Sequence, residues 1–294
     1  MKKRWILGGA AALAVVVAFG ANVAAASRVQ HEISTELTEN KISHESVTCK
    51  GIYPDFTCAV SQVRYEGVGI RKITISGIES LDKMHRQVDG KHGFGMEIEG
   101  VKVEDFNQPW VFMLNLLSSG AFAQSWPLME AFVFNDAGKV SLSGKAVLKE
   151  GNLSAVEDFS MILHNSFGAA QMGFSAFYAQ ETPRFTRFDA SLSLVDLREV
   201  VEAFYRLMEN PEATKAEIDE AFNAFKTDTL VEIREEIALS EDPVVRDVLV
   251  ALEQVLSEKS KRISLRVVTR NTQGLDLNAL SLASQEQLDV VISN

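Results

Sequence analysis

Lys139-Val-Ser-Leu-Ser-Gly-Lys-Ala-Val-Leu-Lys149 is the stretch on which the fold turns. Its apolar and polar residues alternate without a break, the period of a strand with one wet and one dry face. The same alternation returns in Phe159–Leu163, Met172–Ala179 and Phe185–Leu192, with short polar turns between them. Consecutive alternating strands joined by short turns predict an antiparallel meander, with Val140, Leu142, Phe174 and Phe188 on its dry face.

The pattern extends in both directions. Upstream, Ser43–Cys49, Phe56–Tyr65 and Gly69–Ile75 alternate around a Gly67-Val-Gly69 turn. Gly95–Asp105 follows as a strand through Met96, Ile98, Val101 and Val103, with Gly100 marking an expected bulge. Downstream, Arg262–Thr269 and Leu288–Ser293 read as strands, and Leu275–Ala283 is ambiguous.

Two helical regions interrupt the strands. Trp110–Phe134, opened by Asn107 and Pro109, is strongly apolar but broken by Asn115, Gln124, Pro127 and Glu130. It reads as one or two buried helices, or as a lipid-facing surface with Trp110 and Trp126 at its polar boundary. Trp110, Phe112, Trp126 and Phe132 form its candidate apolar ligand surface. Residues 194–258 predict an insertion of four amphipathic helices. Ser193-Leu-Val-Asp196, Thr214-Lys-Ala-Glu217 and Thr229-Leu-Val-Glu232 open three of them as capping boxes, and Asp242-Pro243 opens the fourth.

The first 26 residues read as an address. Lys2, Lys3 and Arg4 precede an uncharged run from Trp5 to Ala26, which ends Ala24-Ala25-Ala26-Ser27. A basic start, an apolar middle and small residues at a cut are the marks of an export signal. The Ala24-x-Ala26 ending favours cleavage before Ser27. Residues 5–26 are also long enough, at about 1.5 Å per helical residue, to stay as an inner-membrane anchor. Residues 27–41 carry a weak helical pattern through Val29, Ile33 and Leu37, either a polar stalk or the first helix of the fold.

An exported chain can hold disulfides. Cys49 and Cys58 flank Gly51 and Pro54-Asp55, so a bridge between them would close the neck of a hairpin. Metal binding needs more ligands than these two, and the CxxC spacing of redox sites is absent.

Charge narrows the partners. The net charge is −11, and 17 acidic against 6 basic residues lie between Val195 and Glu258. The acidity thus belongs to the helical insertion, and such a surface repels nucleic acid.

No catalytic motif stands out. His85, Asp89 and His92 lie close together in an apparent Gly-rich loop and are the least weak metal or catalytic candidates, but sequence proximity fixes no coordination geometry. Ser175 sits in Gly173-Phe-Ser-Ala-Phe177, inside a strand rather than at the strand-to-helix turn a nucleophile elbow requires. Glu97 and Glu99 share one face of a strand and read as a polar surface. Glu235-Glu236 reads as a solvated helix face, and Lys259, Lys261 and Arg262 as helix-end charges. No cofactor is expected.

The exported leader, the strands Lys72-Ile-Thr-Ile-Ser-Gly77 and Val140-Ser-Leu-Ser-Gly-Lys-Ala-Val147, the late helices and the Leu275-Asp-Leu-Asn-Ala-Leu280 segment together resemble AsmA-like and YdgA-like envelope proteins of Gram-negative bacteria. The resemblance implies an anchored protein with a curved sheet in the periplasm, concerned with lipids or outer-membrane assembly. It carries no functional residue with it. The expectation is a single α+β domain over 42–294, in the periplasm, soluble or anchored, with a curved antiparallel sheet, an apolar helical region and a four-helix acidic insertion. Its expected role is non-enzymatic binding or scaffolding, for an apolar ligand or lipid or for another envelope protein. An enzyme with scattered site residues, and a structural partner docking through acidic helices, are the alternatives.

Overall fold

The computed structural model describes residues 22–52, 55–105, 138–179, 182–270, 274–276 and 288–294. The predicted alternation becomes one antiparallel sheet in near-sequential order. Strands β1 (Ser46–Ile52), β2 (Asp55–Tyr65), β3 (Val68–Ser76), β4 (Gly90–Val103) and β5 (Lys139–Lys149) lie side by side. They continue through β6 (Asn152–Asn165), β7 (Gly168–Ala179), β8 (Thr182–Leu194) and β9 (Arg262–Thr269). β11 (Leu288–Ser293) pairs with β9, and the short β10 (Leu275–Asp276) pairs with β8 at Phe185 and Arg184.

Register carries the apolar residues across the ladder. Ile98 faces Val140, which faces Leu163, while Met96 faces Leu142, which faces Met161. Met172 continues from Met161, and Phe174 lies opposite Phe188, which lies opposite Val267. Because strand side chains alternate with a period of two, this pairing puts one apolar face on the whole sheet. Irregularities preserve the facing. β6 inserts a residue at Asp158 (φ 50°) and β8 another at Thr186, so Val156 and Phe159, and likewise Phe185 and Phe188, share the apolar side. Gly100 takes a left-handed backbone (φ 62°) without the expected extra residue, and its N–H turns to the Gly138 carbonyl at 3.2 Å.

Helices cover the two ends of that face. Residues 22–39 form α1, and its Ile33 and Leu37 pack with Ile42 on Val47, Val60 and Val63. From Ile33 onward, α1 is thus joined to the core beneath the first strands. α2 (Ile78–His85) packs against β2 and β4 and has no counterpart in the sequence reading. It starts after Gly77, where φ is 73° and an added Cβ would lie 2.3 Å from the Gly93 carbonyl oxygen, so only glycine allows the approach.

The acidic insertion contains three described helices rather than four: α3 (Leu197–Met208), α4 (Lys215–Leu239) and α5 (Pro243–Leu256). The capping box Thr214–Glu217 and the Asp242-Pro243 start are present, with Asp242 accepting from Val244 N–H at 2.7 Å. Thr229 opens no helix; it lies within α4, since no Gly or Pro between Lys215 and Leu239 interrupts the hydrogen-bonded turns. Ser193 stays in β8, its hydroxyl donating to the Ala169 carbonyl, and Asp196 alone caps α3 by accepting from Arg198 N–H. α4 packs on α3 and α5, and α5 reaches β9 and β11. The expected helical region Trp110–Phe134 lies outside the described residues, as do residues 1–21 of the leader.

Cys49 and Cys58 face each other in the β1–β2 hairpin and form the expected disulfide, with Cys58 fully buried. Closing so short a loop restricts the unfolded chain by about 2.7 kcal/mol on the loop-entropy scale. Urea unfolding of Cys49→Ala/Cys58→Ala is expected to show a loss of about 2–3 kcal/mol; a loss below about 0.5 kcal/mol would show that the bridge does not hold the hairpin.

Candidate functional site

Among the described residues, the apolar face is buried at its first strands and more exposed at its centre. Val47, Phe56, Cys58, Val60 and Val63 are buried on β1 and β2, and Ala146 and Leu148 on β5. Farther along, Met161, Phe174, Phe188 and Leu265 are only half-buried, and Met172 and Leu192 are 39% and 42% exposed. Phe159, Phe174 and Phe185 stack through this region, at centroid distances of 4.7 and 5.5 Å. This stripe was not singled out in the sequence, where Phe174 and Phe188 served only as core markers. Pairing across strands was the missing signal. The residues named there as an apolar ligand surface, Trp110, Phe112, Trp126 and Phe132, lie outside the described residues.

The opposite face is polar and tied by ion pairs across strands. Lys139 bonds Glu97 at 2.6 Å, and Glu99 lies 3.6 Å from both Arg71 and Lys72. Lys91 pairs with Glu157, and Lys145 with Asp158. Glu97 and Glu99 are thus members of a charge ladder, as expected of a polar outer face. Burial alone would raise the Glu97 carboxyl, but the hydrogen bond from Lys139, with the charges of Lys139 and Lys72, holds it below its ordinary value.

Toward β11 the polar face encloses a cavity of about 640 Å³ between β6 and the C-terminal strands. Asp189 sits in it, accepting from Arg187 Nε and, at 2.7 Å, from Arg266 Nε. A second cavity of about 690 Å³ lies over β2 to β6, and Asp158 lines both.

The structure sends the catalytic candidates to separate partners. The segment around His92 is strand rather than a Gly-rich loop: Lys91, His92 and Phe94 pair with Val147, Ala146 and Gly144. Hydrogen bonding to β5 outweighs the weak strand preference of its glycines, and a side chain at Gly144 would meet the Phe94 ring. His92 is 4% exposed and donates from Nε2 to the Val88 carbonyl at 2.7 Å. Asp89 accepts from the Gly151 and Glu150 N–H groups, which lower its pKa, and His85 ends α2. Among the described residues no three His, Cys, Asp or Glu side chains converge on a metal position. Ser175 lies within β7, where its hydroxyl accepts from Asp158 N–H at 3.1 Å across the β6 bulge. Glu235 and Glu236 lie in α4; Lys261 donates to the Val195 carbonyl at 2.7 Å.

No protein-family model matches the chain, and no curated protein matches it.

The Glu97 carboxyl has a folded pKa below its unfolded value near 4.5, so its contribution is complete above that value and lost as pH falls through the folded one. Lys139→Met is expected to cost about 0.2–1 kcal/mol at pH 7 and to cost less at pH 3, measured by urea unfolding. An equal cost at both values would remove the ion pair as its cause.

Proposed function

We propose that this chain is a non-enzymatic binding or scaffolding protein of the bacterial cell envelope, held at the inner membrane by its leader, with acyl chains as its ligand. The observation that carries the reading is the half-exposed stripe from Met161 through Met172, Phe174 and Leu192 to Leu265. Apolar surface left at the centre of a sheet gains by removal from water at roughly 25 cal/mol per Å², and acyl chains supply apolar surface to cover it. The bulges at Asp158 and Thr186 bend their strands and favour a curved sheet, which would wrap such a ligand. The disulfide suits an oxidising compartment.

A retained leader is supported by α1. The helix runs from residue 22 past the Ala26–Ser27 bond without a break, and Asn22 donates from Nδ2 to the Gly51 carbonyl at 2.9 Å. Both features favour a chain whose leader stays attached. Among the described residues no helix is long and apolar enough to cross a membrane; on this reading the anchor is the leader, residues 5–26.

A second reading has its own observation. Phe204, Leu207, Met208 and Phe225 are exposed on α3 and α4, within the acidic insertion, and favour docking of another envelope protein there. Crosslinking to a partner would then fall after neutralising Glu232, Glu235 and Glu236; unchanged partners would count against it.

The lipid reading is tested on the full-length chain purified in mild detergent. Extraction and mass spectrometry are expected to show bound acyl species, reduced at least fivefold in Met172→Glu/Leu192→Glu. A lipid-free protein that binds no hydrophobic dye would overturn it. The intact mass of the same sample is expected to include residues 1–26; a mass beginning at Ser27 would refute the anchor.

A further inference from the structure

The polar face opposite the acyl stripe carries its own site. In the register of the ladder, Thr57 faces Ser76, Ser76 faces Gly95, Gly95 faces Ser143 and Ser143 faces Ser160. The row continues through Gly173, Asp189 and Arg266 to Val291 on β11. Most of these side chains are too small to fill the space above the strands, which is why the 640 and 690 Å³ cavities open there and meet at Asp158. Together they cross nine strands, about 38 Å at the usual strand spacing.

The chemistry of the 640 Å³ cavity is specific. Three guanidinium groups line it, from Arg187, Arg262 and Arg266, against the carboxylates of Asp158 and Asp189. Asp158 is engaged by Lys145 at 3.0 Å, and Asp189 takes one Nε–H from each of Arg187 and Arg266. An arginine has five N–H donors, so each of this pair keeps donors beyond the one given to Asp189. Arg262 adds a cation with no ion-pair partner among the described side chains. Beside these stand the hydroxyls of Ser160, Ser191 and Ser264 and the amide of Gln171, groups that both donate and accept. In a chain of net charge −11, this is an unusual concentration of cationic donors.

We propose that this trough binds an extended acidic glycan, its carboxylate or phosphate substituents held by the arginines and its ring hydroxyls by the serine and glutamine side chains. Guanidinium forks pair with planar or tetrahedral oxyanions by two parallel hydrogen bonds. Sugar hydroxyls need partners that donate and accept, which the serine and amide row provides. An extended peptide fits less well. It binds a sheet by pairing its main chain with an open edge, and here the main-chain groups of β6 to β9 are spent on their neighbours. An acyl chain has no match for the charges, and nucleic acid is opposed by the overall charge.

The test is calorimetric titration of the full-length chain in detergent with an oligogalacturonate, against a maltodextrin of equal length and polyglutamate. Saturable binding of the acidic glycan that weakens with salt is expected, with Arg262→Gln and Ser191→Trp each lowering affinity about tenfold or more. Ser191→Trp fills the trough from its floor; Arg262→Gln alters an exposed side chain and keeps the test valid if the tryptophan variant does not fold. No saturable binding, equal binding of maltodextrin or polyglutamate, or indifference to Arg262→Gln would each overturn the proposal. The readout is independent of the acyl stripe, so a lipid-free protein that still binds the glycan separates the two readings.

Discussion

Everything in this molecule depends on side chains alternating in register through a continuous run of antiparallel strands. A strand whose partner slips by one residue sends all its apolar side chains to the wrong side, so nine successive ladders must agree. They agree here because most connections are tight. Ile52 meets Asp55, Tyr65 meets Val68, Lys149 meets Asn152 and Asn165 meets Gly168 across their hairpins. Short loops leave little freedom for slippage. The longer excursions, between β3 and β4, β4 and β5, β8 and β9, and β9 and β11, each return to an adjacent strand and leave the order intact.

The same rule explains where the sheet deviates from regularity. An inserted residue would reverse the facing of the rest of its strand unless it took a conformation that restores the alternation. Asp158 does this on β6 with its positive φ, and Ser175 secures the distortion by accepting its N–H. Gln62 on β2 and Gly100 on β4, also at positive φ, keep Val63 and Val101 in line with Ile70 between them. Local backbone strain is thus exchanged for one uninterrupted apolar face and one uninterrupted polar face.

Much of this was legible in the sequence wherever the signal was local. Lys139–Lys149 needed only its own alternation, and Thr214–Glu217 and Asp242–Pro243 needed only a cap next to an apolar period. The Cys49–Cys58 pair needed the turn residues it encloses. Signals failed where a local motif competed with longer-range bonding. Thr229 resembles a cap but lies in a chain with no breaker near it. Gly90–Gly95 resembles a loop but is held extended by β5. Ile78–His85 is too short for its period to show, and its Glu79–Lys83 and Asp82–Arg86 pairs are weak supports. The candidate surfaces lay further from view. The apolar stripe and the polar trough are built by residues from four or more strands, so only the register brings them together.

Width then sets the demands on function. Ten strands in sequence span about 43 Å, whereas a helix with its side chains covers about 10 Å. α1 closes the apolar face over the first strands and α5 reaches the last two, so the described helices leave a gap above β5 to β8. Met172 and Leu192 are exposed in that gap, whereas the smaller Ala146 on β5 and Ala176 on β7 are buried. Long, flexible side chains thus stand where the described helices end, and methionine and leucine there adapt to whatever apolar surface meets them without disturbing the strands beneath.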